Sequence, residues 1–343
     1  MKNIGLIISC CQLPAIWNCI KQHLELLSLT SNNLFLYANR DENQKFIERK
    51  YSDNFNYYSS IWDLLKKMKN DKIDVIWVPD LLSLFRVTLY SSIYRVPILF
   101  WVQGTLPDES YMRNNSLFRK HILSLIETLG FRKATGFIYV SEAMSEYYIP
   151  KHGQKNFAIV PCISDFINLP ECNRIPNSFV YIGGLSEWQC FEETLLLYKK
   201  ISTRQSIFHI ITFDVARAMD LVRKYLGENP SVQVYCVSDR NKIPSILSQF
   251  EYGFLIRKES PVNYVSSPIK FLEYLSCGVN VVMTSAVPSY AEIVKKHKVG
   301  TIVDLKSNDI TLNPYNPNAN KIYELLFNKE TFIKRYENLI HNL

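Results

Sequence analysis

The stretch Asn263–Thr284, NYVSSPIKFLEYLSCGVNVVMT, decides the fold: a proline-started helical segment stops at Gly278 and runs straight into an apolar strand. Pro268 suits the first helical position, where its missing N–H costs nothing, and Ser267 before it is a natural N-cap. At about 100° per residue, Lys270 and Glu273 share one helical face and Ile269, Leu272 and Leu275 the opposite one. The expectation is a helix that packs one side on a sheet and offers a cation and a carboxylate on the other. First-turn N–H groups beside Lys270 suit a phosphate, and Glu273 can accept hydrogen bonds from a diol such as a ribose. A solvated Lys–Glu pair contributing about 0.2–0.5 kcal/mol has the same spacing, so the pattern alone leaves both readings open.

Outward from this stretch, short apolar strands alternate with amphipathic helices in both halves, the pattern of parallel sheets covered by helices. The first half predicts strands at Ile4–Ser9, Asn33–Tyr37, Val75–Val78, Ile98–Val102 and Thr135–Val140, with one more at Ala158–Cys162. The second half restarts at Ser178–Gly184 and continues with Phe208–Thr212, Val232–Cys236, Tyr252–Ile256, Val279–Thr284 and Thr301–Val303. The expected organisation is an N-terminal Rossmann-like domain over 1–169, a second over 170–325, and a C-terminal helix over 326–343 packing back on the first. Pro170–Asn177 is the expected linker. Ligands of open parallel sheets bind beyond the carboxyl ends of the strands, so two such domains facing a cleft are expected to hold the site there.

The Ser-Pro-x-Lys-x-x-Glu-Tyr-Leu run ending in Gly-Val-x-Val-Val resembles the donor-binding segment of GT-B glycosyltransferases. It is most similar to the family 4-like enzymes of bacterial surface polysaccharide (O-antigen or capsule) synthesis. The resemblance covers roughly residues 95–305 and is strongest at 178–190 and 252–284. It implies that Glu273 holds a nucleotide ribose and that Lys270 and a neighbouring cation hold the diphosphate. Many relatives carry a second glutamate eight positions earlier, where this chain has Val265; Asn263 and Glu259 are the nearest replacements. Retention of anomeric configuration and independence of metal are implied in the same way.

The other expected site residues sit at strand ends. Gly183 and Gly184 close the first strand of the second half, and Trp188 and Gln189 follow; a plain turn with a core tryptophan is the competing reading. Arg257 and Lys258 follow a buried strand and suit a diphosphate, or form a surface pair with Glu259. In FWVQGTLPDESYMRNN, the resemblance implies that Gln103 and Gly104 lie on the acceptor side. There Asp108 or Glu109 would act on the acceptor hydroxyl, unless the segment is only a polar turn.

The chain has 343 residues, 47% hydrophobic and 21% charged, ample for two packed cores and against disorder. A net charge of +7 suits anionic partners: a nucleotide diphosphate, a lipid diphosphate, an acidic membrane surface. No lysine–arginine run or RNA-binding signature points to nucleic acid. The helix from Ser116 mixes Arg119, Lys120, Arg132 and Lys133 with Leu117, Phe118, Ile122, Leu125 and Ile126. It reads either as a peripheral contact with the inner membrane or as a helix packed on its own sheet. Eight cysteines without metal or C-x-x-C spacing read as reduced and cytoplasmic, and no cofactor or metal is expected. MKNIGLIISCC reads as a first buried strand rather than a signal. The expected function is transfer of a sugar from a nucleotide-diphosphate sugar to a lipid-linked glycan. A nucleotide-sugar epimerase of the same fold and a non-catalytic partner protein are the alternatives.

Overall fold

A computed structural model describes residues 1–8, 14–39, 54–164, 166 and 173–343, with the side chains of 14–16 and 18 outside the description. It divides the chain into Met1–Cys162 with Lys329–Leu343, and Ile163–Asn328. The first unit is built on seven strands: β1 (Asn3–Ile8), β2 (Asn33–Asn39), β3 (Asn54–Tyr58), β4 (Val75–Val78), β5 (Ile98–Val102), β6 (Gly136–Tyr139) and β7 (Asn156–Ile159). Their order is β3-β2-β1-β4-β5-β6-β7, and every pairing is parallel. Helices cover the faces, so β4, β5 and β6 are buried throughout and read as unbroken apolar runs (VIWV, ILFWV, GFIY). The order in which strands are added reverses between β1 and β4, where Leu6 sits opposite Trp77.

The second unit holds β8 (Ile175–Ile182), β9 (Ile207–Ile211), β10 (Val232–Tyr235), β11 (Phe250–Leu255), β12 (Asn280–Met283) and β13 (Gly300–Ile302). Their order is β10-β9-β8-β11-β12-β13, again all parallel. Its reversal point lies between β8 and β11. The core on one side of this sheet is aromatic, with Phe179 stacked on Tyr252 and Phe254.

The C-terminal helix Lys329–His341 belongs to the first unit. Arg335 donates to the Ile159 carbonyl at 2.6 Å, and Lys2 donates to Ile340 at 2.7 Å. The Tyr336 hydroxyl meets the His23 ring nitrogen at 2.5 Å, and His23 packs against Trp77 and Trp101. Burial pulls its pKa down to about 3, so this histidine is a neutral core residue.

Several expectations shift. Ile175–Asn177, expected in the linker, already belong to β8, and Pro170–Cys172 lie outside the described residues. The first unit closes at Cys162, before the expected boundary at 169–170. Strand β3 escaped sequence reading because NFNYY is a half-exposed edge strand of polar and tyrosine residues. The helix Leu81–Tyr94 escaped it because LLSLFRVTLYSSIY is apolar on nearly every side and carries no 3.6-residue period.

Candidate functional site

The helix of the deciding stretch runs Ile269–Ser276, with Gly278 at φ 72° just past its end. Two expectations about it are corrected. Pro268, not Ser267, is the N-cap residue, and no side chain caps the helix; the Ser267 hydroxyl instead meets the Tyr290 hydroxyl at 2.5 Å. Nor does the helix offer a solvent face. Lys270 is 8% and Glu273 3% exposed: Gly183, Gln189 and Tyr181 surround the ammonium, and Arg240 meets the carboxylate. A charged pair on a solvated face is thereby ruled out as the reason for these two residues.

What fixes the helix is Tyr274, whose ring sits against Gly253. Its hydroxyl accepts from the Ile182 N–H at 3.1 Å and donates to the Phe254 carbonyl at 3.3 Å, bridging β8 and β11 at the reversal point. Lys270, one turn earlier, is delivered to the carboxyl end of β8. Its ammonium donates to Gln189 Oε1 at 2.7 Å and lies 4.2 Å from the Tyr181 ring centre. Gly183, at φ 128°, makes the room: a Cβ there would stand 2.4 Å from Lys270 Cε. Gly184 is exposed, and its carbonyl accepts from the Tyr181 hydroxyl at 2.6 Å.

Arg257, just past β11, is the second buried cation. Its guanidinium donates to the Trp188 carbonyl at 3.1 Å, and its backbone exchanges hydrogen bonds with Thr284. Burial lowers its pKa, against the opposing charges of Tyr181, Cys190 and Tyr274. Lys270 is pushed well below the usual lysine range by burial first and by Arg257 second, with Glu273 opposing. Two cations taken out of water side by side are a costly arrangement that an anion would relieve.

Glu273 brings in a residue the sequence reading missed. Arg240, on the turn Arg240–Lys242 beyond β10, donates to Glu273 Oε1 at 2.9 Å while its guanidinium lies 5.0 Å from the Phe166 ring centre. Nothing local in the sequence links positions 33 residues apart. Gly183, Gly184, Gln189, Arg257, Lys270 and Glu273 thus gather at the carboxyl ends of β8 and β11. Trp188 joins them through its carbonyl, with a half-buried side chain.

The other expected residues of this unit stand differently. Lys258 is exposed and pairs with Glu193, which raises its pKa. Asn263 is buried and its amide ties down the Lys258 carbonyl at 2.8 Å, so it shapes the loop. Val265 is a core residue, and Glu259 is exposed.

In the first unit, a cavity of about 220 Å³ lies at the carboxyl ends of β4 and β5, lined among others by Asp80, Trp101, Gln103, Gly104, Glu109 and Glu127. The competing reading of this segment as a polar turn gives way to a helix, Leu106–Asn114. Gln103 donates to the Pro79 carbonyl at 2.6 Å, and the Glu109 carboxylate fills the space a side chain at Gly104 would need. Asp108 is turned to Lys120 at 2.8 Å and to the Tyr147 hydroxyl at 3.0 Å. Glu127, which the sequence reading passed over, accepts from the Tyr148 hydroxyl at 2.8 Å. Burial raises its pKa to about 7 and also raises that of Glu109. The Trp101 indole N–H is buried and has no acceptor among the described residues. No group of three or more His, Cys, Asp or Glu among the described residues is arranged to hold a metal ion.

Residues 28–165 match Glycosyltransferase Family 4. No curated protein matches the chain in sequence. Among solved structures, the lipopolysaccharide outer core galactosyltransferase WaaB in its apo form is similar, with a TM-score of 0.71, 13% identity, and coverage of 100% of this chain and 99% of that one. Sucrose-phosphate synthase from Thermosynechococcus elongatus gives a TM-score of 0.73 at 13% identity, covering 100% and 99%. Anabaena HepE in complex with UDP gives 0.69 at 14% identity, with both chains fully covered. At such identities the structural likeness establishes the fold. The chain thus has the GT-B fold, and its residues 28–165 carry the match to Glycosyltransferase Family 4.

Proposed function

We propose that the chain transfers a sugar from a nucleoside-diphosphate sugar to a hydroxyl of a lipid-linked glycan, in the synthesis of a bacterial surface polysaccharide such as O-antigen or capsule. The observation that carries the reading is the pairing of Lys270 and Arg257, two buried cations beside an uncapped helix start at the reversal point of the second sheet. A diphosphate there restores the charge balance that the protein leaves open. Lys270 and Arg257 then stabilise the negative charge that grows as the sugar departs. Glu273, aligned by Arg240, receives the ribose hydroxyls. The similar HepE fold holds UDP, which makes uridine the first base to test. In this reading the cations do the work a metal does elsewhere, and transfer proceeds with retention.

The experiment is a thermal-shift panel of nucleoside-diphosphate sugars in chelator-treated buffer. A ligand at one hundred times its Kd adds about 2.7 kcal/mol to the stability of the unit that binds it. Release of free nucleotide only when an acceptor pool is added separates transfer from epimerisation. A panel in which no sugar nucleotide raises Tm sinks the proposal.

On the acceptor side we assign Glu127 and Glu109, with the Trp101 N–H, to an acceptor hydroxyl at the first unit's cavity. With a Glu127 pKa of about 7, turnover is expected to climb through neutral pH as the carboxylate forms. In Glu127→Gln that limb should vanish from the pH–rate profile. Because its folded pKa lies above the unfolded value, Glu127 supports the fold at acidic pH and loses that support as pH rises through about 7. The variant's Tm should therefore fall less than the wild type's between pH 5 and pH 8. An unchanged profile removes Glu127 from the acceptor step.

A further inference from the structure

Two helices of the first unit, Leu81–Tyr94 and Leu117–Lys133, pack against each other where Gly130 faces Leu81 and Leu84. Their outward residues are apolar. On the first, Leu82, Phe85, Leu89 and Ile93 are 38–61% exposed; on the second, Phe118, Ile122, Leu125 and Leu129 are 42–78% exposed. The spacings of three and four residues make each set one continuous stripe. Single exposed apolar residues are ordinary, but two adjoining stripes are an interaction surface.

The charges on these helices name the partner. Neither carries an exposed acid: the first has no Asp or Glu, and the only one on the second is the buried Glu127. Cations rim the stripes instead. Arg119 stands at the start of the second helix, Arg132 on the continuation of its stripe, with Lys133 beside it, and Arg95 follows the first helix. Lys69, from the neighbouring helix Ile61–Asn70, lies over the half-exposed Tyr94 ring. An apolar band edged by cations and free of exposed acids complements a bilayer rich in anionic lipid: hydrocarbon below, phosphate at the rim. A soluble protein partner would gain from acids on such a surface as readily as from bases; these two helices expose only bases.

We propose that these two helices dock the chain on an anionic phospholipid bilayer. Leu81 opens the first helix and Glu127 and Phe131 belong to the second, and all three line the acceptor-side cavity, so docking brings that cavity to the membrane. The lipid-linked acceptor thus gains a physical basis, while the docking itself does not depend on the transfer reaction.

The test is flotation of the full chain with vesicles of phosphatidylglycerol and phosphatidylethanolamine, against pure phosphatidylcholine vesicles. Binding is expected to the first at least tenfold more strongly than to the second, and to weaken in 0.5 M salt. Phe118→Ser with Leu125→Ser, and separately Arg132→Gln with Lys133→Gln, should each lower vesicle binding tenfold or more. Both pairs are exposed, so Tm and the sugar-nucleotide thermal shift should match the wild type. That match separates failure of docking from failure of donor binding. A chain that stays off anionic vesicles, or serine variants that bind them as well as wild type, overturns the proposal. So does a solution dimer that the serine substitutions dissolve, since a second copy would then be the occupant.

Discussion

Replacing Lys270 with methionine is expected to abolish donor binding while leaving the protein at least as heat-stable as before. Deleting one preorganised cation that faces developing charge costs about 10²–10³ in kcat. The chain itself loses the contacts to Gln189 and to the Tyr181 ring, each worth about 1 kcal/mol, and the attraction to Glu273. In return it is relieved of a desolvated ammonium held next to Arg257. The sign with pH follows from the depressed lysine pKa. Above its folded pKa Lys270 is neutral while the unfolded chain still binds the proton, so its destabilising effect fades as pH rises. The Tm advantage of the variant should therefore be greatest at low pH and shrink toward alkaline pH. At a pH above that depressed pKa, wild-type binding of UDP should take up a proton at Lys270, seen as a buffer-dependent enthalpy in calorimetry. A methionine variant that binds sugar nucleotides normally removes the main support for the site.

The second large effect is expected at Gly183. Alanine there meets two obstacles: a φ of 128°, which side-chain-bearing residues rarely adopt, and Lys270 Cε at 2.4 Å from the new methyl group. The backbone term alone is of the order of 1–3 kcal/mol. Relief of the clash moves the ammonium off Gln189 and Tyr181, so donor affinity should fall about tenfold or more, the loss of a charged hydrogen bond. Gly184→Ala is the stability control, since its added carbon meets nothing within 4 Å. Equal Tm values for the two alanine variants, with donor affinity intact at position 183, contradict the assignment of Gly183 as the space for Lys270.

Much of the architecture was readable before any coordinates. Strands such as Val75–Val78 and Ile98–Val102 are apolar runs too short for helices, and Ser141 caps its helix through the Met144 N–H as its position suggests. Elements without a period were not readable, as the helix Leu81–Tyr94 illustrates. It carries one of the two exposed apolar stripes, and only its surroundings reveal which of its leucines are covered. The site divides the same way. Lys270, Glu273, Arg257 and Gly183 stand in motifs; Arg240 and Glu127 do not, because the contacts that give them meaning come from elements far off in the chain.

Sequence by itself determined that this protein alternates strand and helix twice over, because burial on both sheet faces demands unbroken apolar runs separated by amphipathic ones. It also placed a lysine and a glutamate on one helical turn. Only tertiary structure decided that both are buried, since that depends on distant residues closing around them: Gly183, Gln189 and Tyr181 about the lysine, Arg240 on the glutamate. Desolvation is a property of everything packed around a charge, and it is what turns a Lys–Glu spacing of no special meaning into a buried cation that an anion would relieve.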